Sequence, residues 1–572
     1  MEKEEKCVVQ ENSTEEQSTG EKSVLKGKLR YYSGEIQRDV TNLVKWLILA
    51  VVVGCVVGAA STLFSFVLKG VTSYRKANGW MFYLLPVMGL IIVFLYQKFG
   101  QEDGGTNQVL STIRSQDDVP FRSAPLIFVS TILTHFAGGS AGREGAAIQL
   151  GGSIGNQLGS WFHLDEEDRH VMVMCGMSAA FSAVFGTPMA AAVFALEVVS
   201  VGVMYYAALM PCMIASLVAS GFAAGMGVTP ESFHVTDIPA LTIESGLKMG
   251  VVALGCAVVS IVFCIALNGA AGLYGKWFKN KYLRVVVGAC LVIAVTFILR
   301  TNEYMGAGAE LIEKAVEDGQ ADTFAFFWKM VLTALTMRAG FRGGEIVPSF
   351  CIGATFGCVM GNLMGISPSI CAACGMAAVF CGVTNCPITS ILIAFEMFGF
   401  KGVSFYLIAV SISYAASGYY GLYKDQTIVY SKYKASTIPY DLICSSDYMV
   451  ERLIEEGETE EIDFSQMQYI DNIGDLYWEM SKSYDPELKY SIPYFWGTVG
   501  ILYNTNMVDE EITSWDSLFN GKYAREIIMQ NSIRDAYMCA LKYKGYSLNT
   551  TNHKELQVAQ NMLLEQKPDV EA

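Results

Sequence analysis

The sequence predicts an all-α polytopic membrane protein with an internal repeat, followed by a partial α/β segment. Three observations carry this reading. First, the 572 residues are 52% apolar and 17% charged, with 54 glycines and a mean hydropathy of +0.35. That excludes a single soluble domain and a disordered or fibrous chain. Second, apolar blocks recur from Leu43 to Leu422. Third, the net charge of −15 is localised: the stretch from Ser436 onward holds 24 acidic and 10 basic residues, a net of −14, leaving −1 for positions 1–435. Two kinds of protein share one polypeptide.

Residues 1–42 are polar, carry charges of both signs and lack the short apolar core of a signal peptide. They read as a loosely ordered, cytoplasmic leader. The apolar segments that follow are Leu43–Gly70, Trp80–Phe99, Pro125–Gly138, Val171–Ser200, Val203–Val228, Leu247–Tyr274, Leu283–Leu299, Phe324–Gly340 and Val403–Leu422. Several reach the roughly 20 residues that cross a bilayer core. Others are short or interrupted by Gly and Pro, which is tolerated at membrane depth only inside protein or beside a cavity. A transporter or channel is therefore expected, in the plasma membrane. Lys22, Lys26, Lys28 and Arg30, then Lys276, Lys279, Lys281 and Arg284, then Lys424, Lys432 and Lys434 mark cytoplasmic loops and place both termini there.

Most of the 15 cysteines lie in or beside apolar spans and read as small apolar residues. Cys371-x-x-Cys374 is the single metal-like spacing, and it lacks a second pair and a nearby His, so no metal or other cofactor is expected. There is no G-x-S-x-G, H-E-x-x-H or P-loop, hence no expected enzyme and no nucleic-acid partner.

Phe185-Gly-Thr-Pro188 leads to Glu197 as Val383-Thr-Asn-Cys-Pro387 leads to Glu396, with an apolar run between Pro and Glu each time. Upstream, Ser140-Ala-Gly-Arg-Glu144-Gly parallels Phe341-Arg-Gly-Gly-Glu345, and a Gly-rich helix follows both. The halves read as diverged copies of one unit, and such matched breaks point to a binding site at the midplane. Three glycine-rich turns, Gly104 to Gln108, Gly142 to Gly145 and Gly343 to Pro348, each open a helix. Unpaired N–H groups and the positive end of a helix dipole make such turns anion sites. A carboxylate among them, Glu144, competes with an anion while ionised and swings away when protonated; an intramembrane Glu is functional by default.

These residues resemble the chloride channel/transporter (CLC) family: Gly142-Arg143-Glu144-Gly145 matches its G-R-E-G signature, and Gly343 to Pro348 resembles its G-x-F-x-P signature. The resemblance covers about residues 40–435. It implies a CLC-type inverted-repeat helical fold, a homodimer in the lipid bilayer with one pore per subunit, and halide and proton as the ions moved. Glu144 becomes the gate, and Gly105, Thr106, Asn107, Gly142, Arg143, Gly145, Ile346 and Val347 line the anion path. Tyr419 or Tyr420 supplies the inner-mouth phenol. The departures resemble the fluoride/proton antiporter branch: Gly105-Thr106-Asn107-Gln108 replaces G-S-G-I-P, Glu345 fills the variable site before Ile346, and Val198 stands where chloride/proton exchangers carry an inner relay Glu. Fluoride is slightly favoured over chloride, since Thr106, Asn107 and Gln108 donors suit a small, strongly hydrated anion, with Glu345 assisting the proton path. His135 reads as a buried, hydrogen-bonded residue.

From Tyr440 the chain resembles the spermidine/putrescine-binding proteins, a periplasmic-binding-protein-like fold. Ser446, Tyr448 and Asp535 fall at its polyamine contacts, although Ser532 replaces an Asp there. Carboxylates and aromatic faces suit a polyamine. Only the middle of that fold is represented, and half a cleft should bind poorly, so residues 436–572 are expected to be a fused fragment without independent function. The alternative reading makes this tail a polyamine receptor and the membrane part its anchor.

Overall fold

The structure, a computed structural model, describes residues 2–100, 105–113, 119–199, 204–418, 421–422, 447–457, 459–467, 469–494, 499–505, 507–529, 533–548 and 550–570. By internal contacts the chain divides into one unit of residues 38–437 and another of 1–37 with 438–572.

Among its described residues, the regular elements of the membrane unit are helices joined by turns and irregular stretches. Its first eight helices are α1 (Glu2–Ala77, of which the part from Arg38 belongs to this unit), α2 (Leu85–Phe99), α3 (Thr106–Thr112), α4 (Ser123–Phe136), α5 (Glu144–Trp161), α6 (Glu166–Phe185), α7 (Pro188–Glu197) and α8 (Leu209–Gly225). The next eight are α9 (Ile243–Trp277), α10 (Lys281–Leu299), α11 (Ala309–Val316), α12 (Ala325–Ala339), α13 (Ile346–Met364), α14 (Pro368–Thr384), α15 (Pro387–Phe398) and α16 (Val403–Ser417). Seven helical stretches among the described residues are long and apolar enough to cross a membrane, from Val40–Ala77 to Phe400–Ser417. The leader, expected to be loosely ordered, is instead helical from Glu2. It is rich in Glu, Lys and Gln, good helix formers, and contains no Pro to interrupt them.

The repeat is visible in what touches what. α5 packs on α6 as α13 packs on α14; α6 meets α8 as α14 meets α16; α3 lies on α5 as α11 lies on α13. It extends to single dihedrals. α6 ends on Gly186 (φ 76°) and α14 on Asn385 (φ 58°), both left-handed, and the next residues, Thr187 and Cys386, share φ −116° with ψ of 76° and 75°. Pro188 and Pro387 then start α7 and α15, where a missing N–H costs nothing. The span expected as Val171–Ser200 is thus two helices with a break at Gly186.

The broken helices complete each other. Glu197, the last residue of α7, accepts hydrogen bonds from Ile388 N (3.0 Å), Thr389 N (2.8 Å) and Thr389 Oγ1 (2.6 Å), in the first turn of α15. Glu396, near the end of α15, accepts from Met189 N and Ala190 N, both at 2.9 Å, in the first turn of α7. Each carboxylate satisfies amides that have no partner in their own helix. The two Pro-to-Glu motifs are reciprocal caps.

Small residues let the principal pairs approach backbone to backbone. A Cβ on either Gly151 or Gly176 would lie 2.1 Å from the carbonyl oxygen of the other, and on either Gly353 or Gly375, 2.3 Å. In lipid, where no hydrophobic force drives helices together, this close contact is what holds them.

The tail unit carries α17 (Asp447–Glu455), α18 (Asp475–Ser481), α19 (Ile533–Tyr543) and α20 (His553–Gln566). Among its described residues there is no β-strand, only one parallel bridge between Ile527 and Val570. The strand expected from Tyr440 lies outside the described residues, and the helix expected after it is α17. The small core here is Ala540, Leu541 and Ala559 between α19 and α20.

Gly176→Val should lower stability by roughly 1–3 kcal/mol or more through overpacking, with Gly353→Val matching it in direction. Gly70→Val, at a site with open space around it, should stay within about 0.5 kcal/mol of wild type. Thermal unfolding in detergent measures all three.

Candidate functional site

The two signature loops are joined by hydrogen bonds. Gly142 N–H donates to Gly344 O and Gly344 N–H to Gly142 O, both at 2.7 Å, an isolated antiparallel bridge. Glycine is required by closeness. A Cβ on Gly344 would sit 2.6 Å from Gly145 N, and one on Gly142 would sit 2.6 Å from Glu144 Oε2. The bridge brings the starts of α5 and α13 together, and the first-turn amides of both helices have no partner within their own helix.

Glu144 opens α5 and is fully buried. Its Oε2 accepts from Arg143 N at 2.9 Å and its Oε1 from Arg143 Nε at 3.3 Å. The same guanidinium pairs through Nη2 with Glu231 and reaches Val184 O at 3.5 Å. Arg143, expected on the anion path, holds two carboxylates. Glu231 sits 86 residues beyond the signature loop in an irregular stretch, and its own sequence context gives no sign of this role.

Beside the bridge lies a cavity of about 210 Å³ lined by Gly105, Thr106, Asn107, Ile127, Gln149, Met337, Arg338, Phe341, Arg342, Gly343, Glu345 and Leu422. Gly105, Thr106, Asn107 and Glu345 come together here from opposite halves of the repeat. Thr106 Oγ1 accepts from Gln149 Nε2 at 3.1 Å, which leaves the threonine O–H hydrogen to be donated elsewhere. Asn107 Oδ1 is buried with no hydrogen-bond partner among the described residues. Glu345 Oε1 accepts from Arg338 Nη2 at 3.2 Å. Arg342 lies over the ring of Tyr96, 4.1 Å from its centroid.

Ile346 and Val347 form the first turn of α13 and are buried, but do not line the cavity; neither do Gly142, Arg143 and Gly145. Tyr419 and Tyr420 lie outside the described residues, while Leu422, two residues on, reaches the cavity wall and donates from its N–H to Val383 O at 2.7 Å. Gln108 is not a wall residue; the carboxamides there are Asn107 and Gln149. Gln149, Arg338 and Arg342 escape a motif reading, although Gln149 follows Glu144 by five residues and both arginines lie within seven of Glu345. His135 is buried, with Nδ1 3.0 Å from Thr131 O, as expected. Cys371 and Cys374 are buried free thiols. In the tail, Ser446 and the Tyr448 side chain lie outside the described residues; Asp535 is half-buried in the first turn of α19.

Comparison with known proteins follows the same division. A family described as voltage gated chloride channel matches residues 88–418, and one described as bacterial extracellular solute-binding protein matches residues 438–565. A chloride/fluoride channel protein of Pseudomonas syringae pv. tomato is 34% identical over 419 residues, 72% of this chain and 92% of the relative. A crystal structure of a CLC-type fluoride/proton antiporter aligns with a TM-score of 0.64 at 34% identity, covering 67% of this chain and 98% of that one. The spermidine/putrescine-binding periplasmic protein of Escherichia coli (strain K12) is 35% identical over 156 residues, so the match spans 27% of this chain and 44% of that relative.

Removing the cation shared by Glu144 and Glu231 leaves two carboxylates without it. Arg143→Gln should therefore destabilise the protein by about 3–5 kcal/mol, measured by thermal unfolding, and adding Glu231→Gln should restore part of the loss.

Proposed function

The chain belongs to the voltage gated chloride channel family, whose members carry halide across membranes, and from that premise we propose that this multi-pass protein exchanges fluoride for protons. One observation carries the reading: a cavity in which the side-chain donors Thr106 and Gln149 and two guanidiniums share a wall with the carboxylate of Glu345. Fluoride is small and a strong hydrogen-bond acceptor, so it needs short, directed donors to replace its water. Hydrogen bonds to a charged group contribute about 1.5–3 kcal/mol each. A chloride site is served by diffuse backbone dipoles alone.

Glu144 is the gate. Buried at the start of α5, it accepts from the Arg143 N–H, a donor that an anion would use. Protonated, it loses its claim on the helix dipole and on Arg143, and swings out. Glu345 carries the second exchangeable proton. Val198, buried directly after Glu197, has no proton to give, so the relay of chloride exchangers is not available in this chain. The name of the Pseudomonas relative and the identity of the aligned antiporter support the fluoride assignment.

The protein resides in the plasma membrane with both termini cytoplasmic, as the basic loops indicate, and acts as a homodimer. The pairing face is the exposed apolar side of α7, α8, α15 and α16, which includes Met189, Leu217, Ile388 and Leu407. The tail, 436–572, is a fused fragment without polyamine-binding activity.

In liposomes, fluoride efflux should exceed chloride efflux by at least about tenfold, equivalent to roughly 1.4 kcal/mol, with protons moving the opposite way; equal rates overturn the fluoride assignment. Glu144→Gln should abolish proton movement read by a pH dye. Titrating the full-length protein with spermidine should produce no binding heat at micromolar concentration, and removal of residues 438–572 should leave fluoride flux unchanged.

A further inference from the structure

The cavity holds a charge arrangement that the gate does not use. Arg338, in the last turn of α12, donates from Nη2 to Glu345 Oε1 at 3.2 Å. Its Nε is buried with no hydrogen-bond partner among the described residues. Both side chains are partly buried, Arg338 at 30% exposure and Glu345 at 17%, and both line the cavity with Thr106 and Asn107. Arg342, the other cation in the wall, lies against the Tyr96 ring, and its backbone N–H donates to Thr134 Oγ1. Cys264 of α9 is within electrostatic reach of both Glu345 and Arg338. Arg338 and Arg342 in the cavity wall and Cys264 on α9 are titratable or charged groups near Glu345.

We propose that Arg338 is a shared counter-ion, paired with Glu345 when the cavity is empty and with the halide when Glu345 is protonated. The proposal rests on the reading of the chain as a proton-coupled anion transporter and supplies the physical link between the two ions. While Glu345 is ionised, its charge cancels that of Arg338, and an incoming anion meets a pair of no net charge. A proton taken by the carboxylate removes its negative charge. The guanidinium is then a partly buried cation whose opposite charge is gone, and an anion in the cavity restores neutrality. Proton and anion binding are therefore linked, and the linkage is reciprocal. Arginine suits this role because it stays charged throughout and presents several donors in a fixed fork, so one donor can leave the carboxylate while others face the anion. Arg342 is held on the aromatic ring and sets the background potential of the cavity.

The test is sodium fluoride binding to full-length protein, by calorimetry in detergent, at acidic and alkaline pH. Glu345→Gln should bind fluoride about tenfold more tightly at alkaline pH, within the range of ordinary coupling factors, and should show a shallower dependence on pH. In an Arg338→Gln background the same Glu345→Gln change should leave affinity unaltered, because the cation it releases is absent. Arg338→Lys should restore a cation and part of the pH dependence. An equal gain from Glu345→Gln with and without Arg338 overturns the proposal. So does weaker binding by Glu345→Gln alone, which can be read even if the Arg338→Gln protein fails to fold. Fluoride flux of the wild type, measured alongside, separates the two readings: no flux overturns fluoride transport itself, whereas flux without this coupling overturns only the role of Arg338.

Discussion

Two hydrogen bonds between Gly142 and Gly344 are the constraint on which the rest of this membrane domain depends. They join loops from opposite halves of the repeat at the point where α5 and α13 begin, and they exclude any side chain at the junction. Helix N-termini carry unpaired amides and partial positive charge. One such end is a modest anion site, and two brought together are a stronger one. Because the contact is backbone to backbone, the pull of these two helix starts on an anion needs no charged side chain. That explains how a domain of near-zero net charge can serve anions.

The same logic repeats one layer away, where Glu197 caps α15 and Glu396 caps α7. A broken helix within a bilayer leaves amides that lipid cannot satisfy. Here each half supplies the missing acceptor to the other. In both carboxylates, each oxygen accepts a hydrogen bond from the first turn of the facing helix. Glu144, by contrast, is held by its immediate neighbour Arg143, whose guanidinium also serves Glu231. The difference between the two caps and Glu144 lies in those partners, since the residue type is the same.

Much of this was legible in the sequence because it is written as local pattern. The Pro-to-Glu spacing, the Gly-Arg-Glu-Gly turn and the Gly-Gly-Glu turn each lie within a dozen residues, and their duplication signals a repeat. What stayed hidden depends on pairing across the fold. Gln149 looks like one more polar residue in a glycine-rich helix until α3 is laid beside α5. Arg338 reads as a basic residue at a helix C-terminus, which the helix dipole would explain on its own. Glu231 lies in an irregular stretch with nothing to mark it. In the tail, the helix expected after Tyr440 is present as α17, while the strand expected before it lies outside the described residues.

The cavity wall argues for a division of labour between backbone and side chains that suits a strongly hydrated anion. Backbone amides at the two helix starts attract any halide. Side-chain donors discriminate, because their reach fixes how closely the ion must sit. Thr106 is prepared for this: Gln149 donates to its oxygen and so orients the hydroxyl hydrogen away, toward whatever acceptor enters the space. A larger anion held at the distance of the backbone cradle would sit too far from that hydroxyl to gain from it, while a small one can approach. Two donors, Thr106 and Gln149, at about 1.5–3 kcal/mol each offset on the order of 3–6 kcal/mol of lost hydration. That is enough to matter for an ion of this size, but it leaves a deficit that a nearby cation has to close. Arg338 stands in that position, held by Glu345 until a proton releases it.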